Sequence, residues 1–529
     1  MSNFPLKLPP EYWQNFSVSI QDINFLHNYL FETESPANSS VLTNAMIKER
    51  IRVENETFSF AQKNFGELYK PSESYSPGQK LLFPALDFKK GIVTNLRPGN
   101  NPNLPAFSVM EISFDGGDNR FFAAELKEHK LNIVSDDKID PNSDPVFIFK
   151  TFGQELESKL DEALQNDDSL VKIAGNWFSR ALLQNINLGQ LNLAEAILEM
   201  NNGEPITTSL LMDNMEVPND SNSMLTEFSV NFALQEDGRF DEVGPSGEIQ
   251  WFLKRLEPEE VQNVPSALKY APLEYDRSIL NEQMLLLESQ IDDEFVETED
   301  KSPNGNDQPI TLTYPHWRTG SLPITPKVES IFPTAFEAPR IRFVMVDGKT
   351  GEKLPAWVVR NGGYIFGLRK WFEKQKLIPG SIIMVKKSKK PGEVIIDART
   401  HRPNRDWVRT VLVGSDGGLV FAVLKQEISC DYNERMVVVV PDVNAIDVAV
   451  SQITRTRMPL EKLIRESLKE LAKLTPQGHV HVEELYSAVN ILRRVPPAPL
   501  MAILTSSPAF THVGDLHYRL SETVREEES

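Results

Sequence analysis

Apolar positions along this chain change period several times, and each change predicts a different kind of element. In SIQDINFLHNYLFETE, Ile23, Leu26, Leu30 and Phe31 recur at helical spacing, and after a Ser/Pro/Asn break Leu42, Ile47 and Ile51 form a similar stripe. From about residue 71 the period falls to two: runs from Leu81 and Gly91, at 107–114 and at 120–123 are short and β-prone, separated by Gly, Pro and Asn turns such as DGGDN. Helical spacing returns over 151–295. LNLAEAILEMNNGEPITTSLLMDNM predicts a helix, a short strand at 205–207 and a second helix; NSMLTEFSVNFALQED predicts a third, and RFDEVGPSGEIQWFLKR a hairpin with strands at 239–243 and 248–254. EYDRSILNEQMLLLESQIDDEF predicts one further helix.

Over 310–400 the alternation is that of strands again, in RIRFVMVD, PAWVVR, SIIMVKK and EVIIDAR, with DGKTGE as a hairpin turn. One short amphipathic helix, GLRKWFEKQKL, interrupts them; Leu368, Trp371 and Phe372 lie on one side and Arg369, Lys370 and Lys374 on the other. After a β-prone connector at 411–458, the order helix, strand, helix, helix, hairpin recurs in PLEKLIRESLKELAKLT, HVHV, EELYSAVNILRR, PAPLMAILTSSPA and FTHVGDLHYRL. The two hairpins share a phrase, Phe-x-x-Val-Gly, at Phe240–Gly244 and Phe510–Gly514.

A chain of 529 residues is too long for a single core. The boundaries expected are an N-terminal helical unit at 1–70, a small β-barrel at 71–150, a helical domain at 151–295 with its hairpin-bearing part at about 187–256, and an acidic linker at 296–309. A basic β-rich domain at 310–410, the connector at 411–458, a C-terminal helix-and-hairpin domain at 459–522 and an acidic tail at 523–529 complete the order. The linker VETEDKSPNGNDQP has too few apolar residues to offset the entropy of ordering.

Charge sharpens this division. The net charge is -20, which argues against non-specific coating of nucleic acid by the chain as a whole. From Arg340 to Arg409, however, 17 lysines and arginines face 6 aspartates and glutamates, a surplus of 11 that leaves -31 on the rest. With no run of about 18 apolar residues, no signal-peptide pattern at the start and one cysteine, the expectation is a cytoplasmic protein without a membrane partner.

Within the basic segment the candidate nucleic-acid-binding residues are Arg360; Arg369, Lys370 and Lys374 on the short helix; Lys386, Lys387, Lys389 and Lys390 in a hairpin; and Arg399, Arg402, Arg405 and Arg409 beyond it. Phosphates require such charge on one face, and arginine also reads guanine bidentately. The plainer reading of KKSKKPGE is a solvated hairpin tip whose lysines discourage edge pairing.

Catalytic signals are weak. Cys430 has no histidine near it in sequence, His479 and His481 offer two metal ligands and no completing set, and no phosphate-binding loop, nucleophile elbow or zinc-protease motif occurs. The reading is of a non-enzymatic protein without cofactor or metal.

Three resemblances add to this. The segment at 71–150 is similar to small SH3-like or Tudor-like barrels. The stretch from GSLPITPKVESIFP through GLRKWFEKQKLIPGSIIMVKK resembles the DNA-binding pseudobarrel of plant transcription factors and restriction-enzyme recognition domains. HVHVEELY together with the closing F-x-x-V-G-x-x-x-Y-x-L resembles the HARE-type winged helix of the bacterial RNA polymerase delta subunit and of domains fused to restriction and chromatin proteins.

The domain order is similar to that of a multidomain bacterial family with no assigned activity. The fold implied is multidomain α+β: a small barrel, two winged helix-turn-helix domains and a central pseudobarrel. Both expected third helices depart from the DNA-reading pattern, since PAPLMAILTSSPA has no charge and NSMLTEFSVNFALQED is acidic. The expectation is therefore a regulatory protein that docks DNA or RNA through 310–410 and contacts protein through its winged helices. The alternative is a protein-interaction scaffold in a transcription- or defence-associated complex.

Overall fold

A computed structural model describes residues 11–65, 67–83, 86, 89–102, 104–114, 119–132, 141–201, 203–215, 217, 222–297, 307–415 and 417–521. Mixed α and β elements form two units, Met1–Gln184 with Ser221–Phe228 and Asn185–Asp220 with Ser229–Ser529. Most of the expected linker, the first four residues of the DGGDN turn and the acidic tail lie outside the described residues. Among those residues no helix is long and apolar enough to cross a membrane.

The first unit starts with α1 (Ile20–Thr33), begun by a capping box in which Ser19 and Asp22 satisfy each other's backbone N–H. Then come β1 (Ala37–Asn38) and α2 (Ser39–Phe65), which buries Leu42, Met46, Ile47 and Ile51. Five strands follow: β2 (Glu67–Leu68), β3 (Lys80–Phe83), β4 (Lys89–Pro98), β5 (Ser108–Phe114) and β6 (Asn119–Ala124), adjacent in that order around Tyr69, Phe83, Phe114 and Phe122. The chain then returns in α3 (Pro145–Gln165) and a hairpin, β7 (Leu170–Ile173) and β8 (Asn176–Ser179).

Strand β8 pairs with β7 and also with β1, placing Ala37 opposite Trp177. The five-stranded sheet is thus an insertion inside one helix–strand–helix–helix–hairpin unit, where the sequence reading separates 1–70, 71–150 and the helix at 151 onward. A two-residue strand carries no period of its own, and its partner lies 140 residues further on, so nothing local reveals the join.

The second unit opens with the same order uninterrupted: α4 (Leu188–Met200), β9 (Ile206–Thr207), α5 (Thr208–Asn214), α6 (Ser223–Glu236, crossed by the division between units), β10 (Phe240–Glu242) and β11 (Gln250–Leu253). After α7 (Glu259–Gln262) comes α8 (Glu282–Gln290), shorter than the helix expected from 274 because residues 277–279 form a 3-10 turn and Asp292–Glu294 turn inward.

The central sheet has seven strands and is nearly closed into a barrel. Its elements in chain order are β12 (Asp307–Thr311), α9 (Tyr314–Thr319), β13 (Ser321–Pro323), β14 (Arg340–Asp347), β15 (Lys353–Val359), β16 (Tyr364–Phe366), α10 (Arg369–Gln375), β17 (Ile382–Lys387) and β18 (Glu393–Ala398). The spatial strand order is β12-β17-β18-β14-β15-β16-β13, antiparallel except between β14 and β18. Helix α10 buries Trp371 and Phe372 against the sheet, and the Trp371 indole donates to Asp347 at 2.7 Å.

A long two-stranded ribbon, β19 (Thr400–Val413) with β20 (Leu419–Cys430), leaves this barrel. The expected β-prone connector then ends in a helix, α11 (Val443–Thr456). Its β-branched residues suggest a strand, but Asp442 caps it and Ile446 and Ala449 are buried at helical spacing. The last elements are α12 (Leu460–Ala472), β21 (Val480–His481), α13 (Val482–Leu492), α14 (Pro497–Ser506), β22 (Phe510–Gly514) and β23 (His517–Leu520).

One topology therefore occurs three times, with sheet orders β1-β8-β7, β9-β11-β10 and β21-β23-β22. In each, the residue of the final strand opposite the first short strand is a buried aromatic: Trp177, Trp251 or Tyr518. Both tryptophans tie the indole N–H to the third helix of their unit. Trp177 donates to Asp161 at 3.0 Å and Trp251 to Asn231 at 2.9 Å. The repeated Val-Gly serves two needs. A Cβ on Gly244 would lie 1.9 Å from the Glu248 carbonyl, whereas Gly514 has open space but a φ of 108°.

Candidate nucleic-acid interface

Sheet register decides which of the basic residues share a surface. Lys387 pairs with Val394 at one end of β18 and Ile383 with Ala398 at the other. The turn carrying Lys389 and Lys390 and the arginines that begin at Arg399 are therefore separated by the whole strand, about 20 Å at ~3.3 Å per residue. Lys349 marks the Arg399 end, donating to the Ala398 carbonyl at 2.6 Å and to Thr400 at 2.7 Å. Lys374 on α10 belongs there too, since it pairs with Glu352 in the turn that also carries Lys349.

Several of the expected ligands are engaged internally. Arg360 donates to the carbonyls of Phe336 and Ala338, and Arg369 to the carbonyl of Arg318. Lys386 is held only loosely, its nearest acid, Asp307, being 3.7 Å away and 56% exposed. Arg409 is mostly buried, donates to the Arg435 carbonyl and pairs with Glu484 of α13 at 2.5 Å; burial pulls its guanidinium below its ordinary value, partly offset by Glu484. Lys370, Lys387, Lys389, Lys390, Arg399, Arg402 and Arg405 are exposed and have no ion pair or side-chain hydrogen bond among the described residues.

The ribbon adds an exposed aromatic to this charge. Alternation along β19 puts Arg405, Trp407 and Arg409 on one face, where Trp407 faces Lys425 and Arg409 faces Val423 across the ladder. Further toward the tip, Val411, Leu419 and Phe421 on this face are buried in the C-terminal core. On the other face Val408 and Ile428 belong to the barrel core. Between these anchored stretches Trp407 is left 64% exposed, flanked by Arg405 and Lys425, with Arg402 and Arg399 at the root of the same strand. Glu427, opposite Arg405, is the one acid on this face of the exposed stretch. The legible signal was a tryptophan with arginine two residues to either side, in RDWVR.

The remaining candidates read differently. Cys430 is buried with its Sγ 3.2 Å from Ser381 Oγ, and burial pushes the thiol up. His481 is buried. Its Nδ1 accepts the Glu483 N–H as the cap of α13, and burial, then Arg435 and His517, lower its pKa to about 4. Among the described residues no group of three or more His, Cys, Asp or Glu side chains is placed to hold a metal ion. Helix α14, the third helix of the C-terminal helix-and-hairpin unit, buries Pro497 through Ala502 and Leu504. Comparison of the chain with protein-family models, curated proteins and solved structures finds no match.

Proposed function

We propose that this protein binds nucleic acid through the root of the ribbon, with Arg399, Arg402, Arg405 and Lys425 on phosphates and Trp407 against a base or sugar. The observation that carries the reading is the exposure of Trp407 between two cations on a rigid ladder. A large aromatic in water has lost the benefit of burial, and charge-flanked aromatics are the surfaces on which bases stack. The three helix-and-hairpin units act as winged helices that shape the molecule and meet protein; the buried α14 favours that role over base reading.

The test is fluorescence anisotropy of the full chain with labelled single-stranded DNA, RNA and duplex DNA from 50 to 200 mM salt. Arg399→Glu/Arg402→Glu/Arg405→Glu should weaken binding and lower the log–log salt slope by about 2–3. Lys389→Glu/Lys390→Glu, at the far end of β18, should do much less. Salt-independent binding, or equal binding by the triple variant, refutes the reading. A second reading, a protein-interaction scaffold, is favoured by the exposed Leu412, Val420 and Leu424 on the opposite ribbon face, and absence of any nucleic-acid binding would select it.

A further inference from the structure

Two arginines alternate on β14 and have opposite surroundings. Arg340 is fully engaged, pairing with Asp241 at 2.5 Å and Glu257 at 3.3 Å and donating from Nε to the Val261 carbonyl at 3.1 Å. Arg342 is not. Its side chain is only 12% exposed, its Nε is buried without a hydrogen-bond partner, and the acid nearest it is Glu204, 3.7 Å away and itself 66% exposed. Its guanidinium lies 5.3 Å from the centre of the Trp357 ring. A buried cation with so loose a counter-ion is costly to keep, and burial lowers its pKa accordingly.

Arg342 lines a groove of about 520 Å³ within the second unit. The walls are aromatic and aliphatic: Phe252 and Trp357, packed edge to face at 5.4 Å, with Phe366, Leu256 and Pro355. Glu199 also lines the opening but is held by Arg255 at 3.2 Å. A concave apolar cleft of this size, with one poorly neutralised guanidinium in its wall, has the make-up of a small-ligand site. The guanidinium fork matches a carboxylate; Phe252 and Trp357 form the buried floor, so the surface open to an apolar body is the exposed Leu256 and Pro355 with the half-buried Phe366.

We propose that this groove binds a small organic carboxylate carried on a flat apolar body, the carboxylate on Arg342 in place of Glu204 and the body against Phe366, Leu256 and Pro355. The site is separate from the ribbon, so it stands whether or not the ribbon binds nucleic acid.

The test is calorimetric titration of the full chain with benzoate, 2-naphthoate and indole-3-acetate, alongside indole-3-acetamide and acetate. At least one aromatic acid should bind saturably at one site, indole-3-acetamide at least tenfold more weakly than indole-3-acetate, and acetate not measurably. Arg342→Gln should reduce affinity at least tenfold, and Glu204→Gln should raise it several-fold by removing the competing carboxylate. Leu256→Trp, which fills the lip and leaves Arg342 in place, should also abolish binding. No saturable binding of any of the three acids, equal binding of the acid and its amide, or unchanged affinity in folded Arg342→Gln overturns the proposal. Should Arg342→Gln fail to fold, unchanged affinity in Glu204→Gln overturns it equally.

Discussion

Replacing Arg494 by methionine should expose how the second unit is held together. Arg494, just after α13, pairs with Asp293 at 2.7 Å and Glu294 at 2.9 Å, with the arginine 3% exposed and the carboxylates 0% and 2%. The Tyr486 hydroxyl donates to Asp293 at 2.5 Å, and His316 of α9 lies 3.0 Å from Glu294, so the cluster joins the end of α13 to two segments that precede it by well over a hundred residues. Burial alone would raise the Glu294 carboxyl, but Arg494 and His316 override it and hold the group well below the usual carboxylate range.

Without the guanidinium two buried carboxylates face each other, a loss of about 3–5 kcal/mol. The chain can escape by protonating one. From an ordinary value of 4.5 this costs about 3.4 kcal/mol at pH 7, at 1.36 kcal/mol per unit. That cost shrinks as pH falls and vanishes near 4.5. The wild type behaves oppositely: a depressed carboxyl stabilises fully above its unfolded value and loses that contribution only as pH drops below 4.5. Urea unfolding followed by tryptophan fluorescence and circular dichroism should therefore show a deficit of about 3–5 kcal/mol at pH 7 that narrows to about 1 kcal/mol by pH 4.5. Adding Asp293→Asn and Glu294→Gln should recover most of it. A deficit under about 1 kcal/mol at pH 7, or one undiminished at pH 4.5, refutes the argument.

Two further outcomes follow from buried polar groups. Trp177→Phe and Trp251→Phe should each cost about 1–3 kcal/mol by removing the indole donor to Asp161 or Asn231, measured as a shift in unfolding midpoint; a loss under about 0.5 kcal/mol in both would discredit the shared tie to the third helix. Glu242 is pushed up to about 7 by burial, with Glu337 and Asp241 adding to it, so the folded state holds a proton the unfolded chain releases and stability falls as pH rises from 4.5 through 7. Glu242→Gln should raise the melting temperature at pH 8 and leave it unchanged at pH 4; equal effects at both would contradict this.

Much of the element list was legible because helical and strand faces are local patterns. The stripe of Leu460, Leu463, Ile464, Leu468 and Leu471 is buried throughout, and Trp371 and Phe372 turn inward as α10 requires. Phe31, counted on the α1 stripe, is 62% exposed, because that helix ends two residues later and the core does not extend past Leu30. The candidate interface was half legible. Its charge is a count, but the division of that charge along β18 depends on strand register, and Trp407 matters only because the ribbon is anchored on either side of it and open between.

By itself the sequence determined periodicity, the twice-used hairpin phrase and the basic segment inside an acidic chain, all properties of residues within a few turns of one another. Tertiary structure decided the pairings. It joined β1 to β8 across an inserted sheet and thereby made a third copy of the repeated unit. It also set Arg409 on Glu484 and Lys374 on Glu352, while leaving Arg342 without a close partner. Ladders and ion pairs form between positions that topology brings together, and no local pattern of apolar and polar residues encodes which distant partner each will meet.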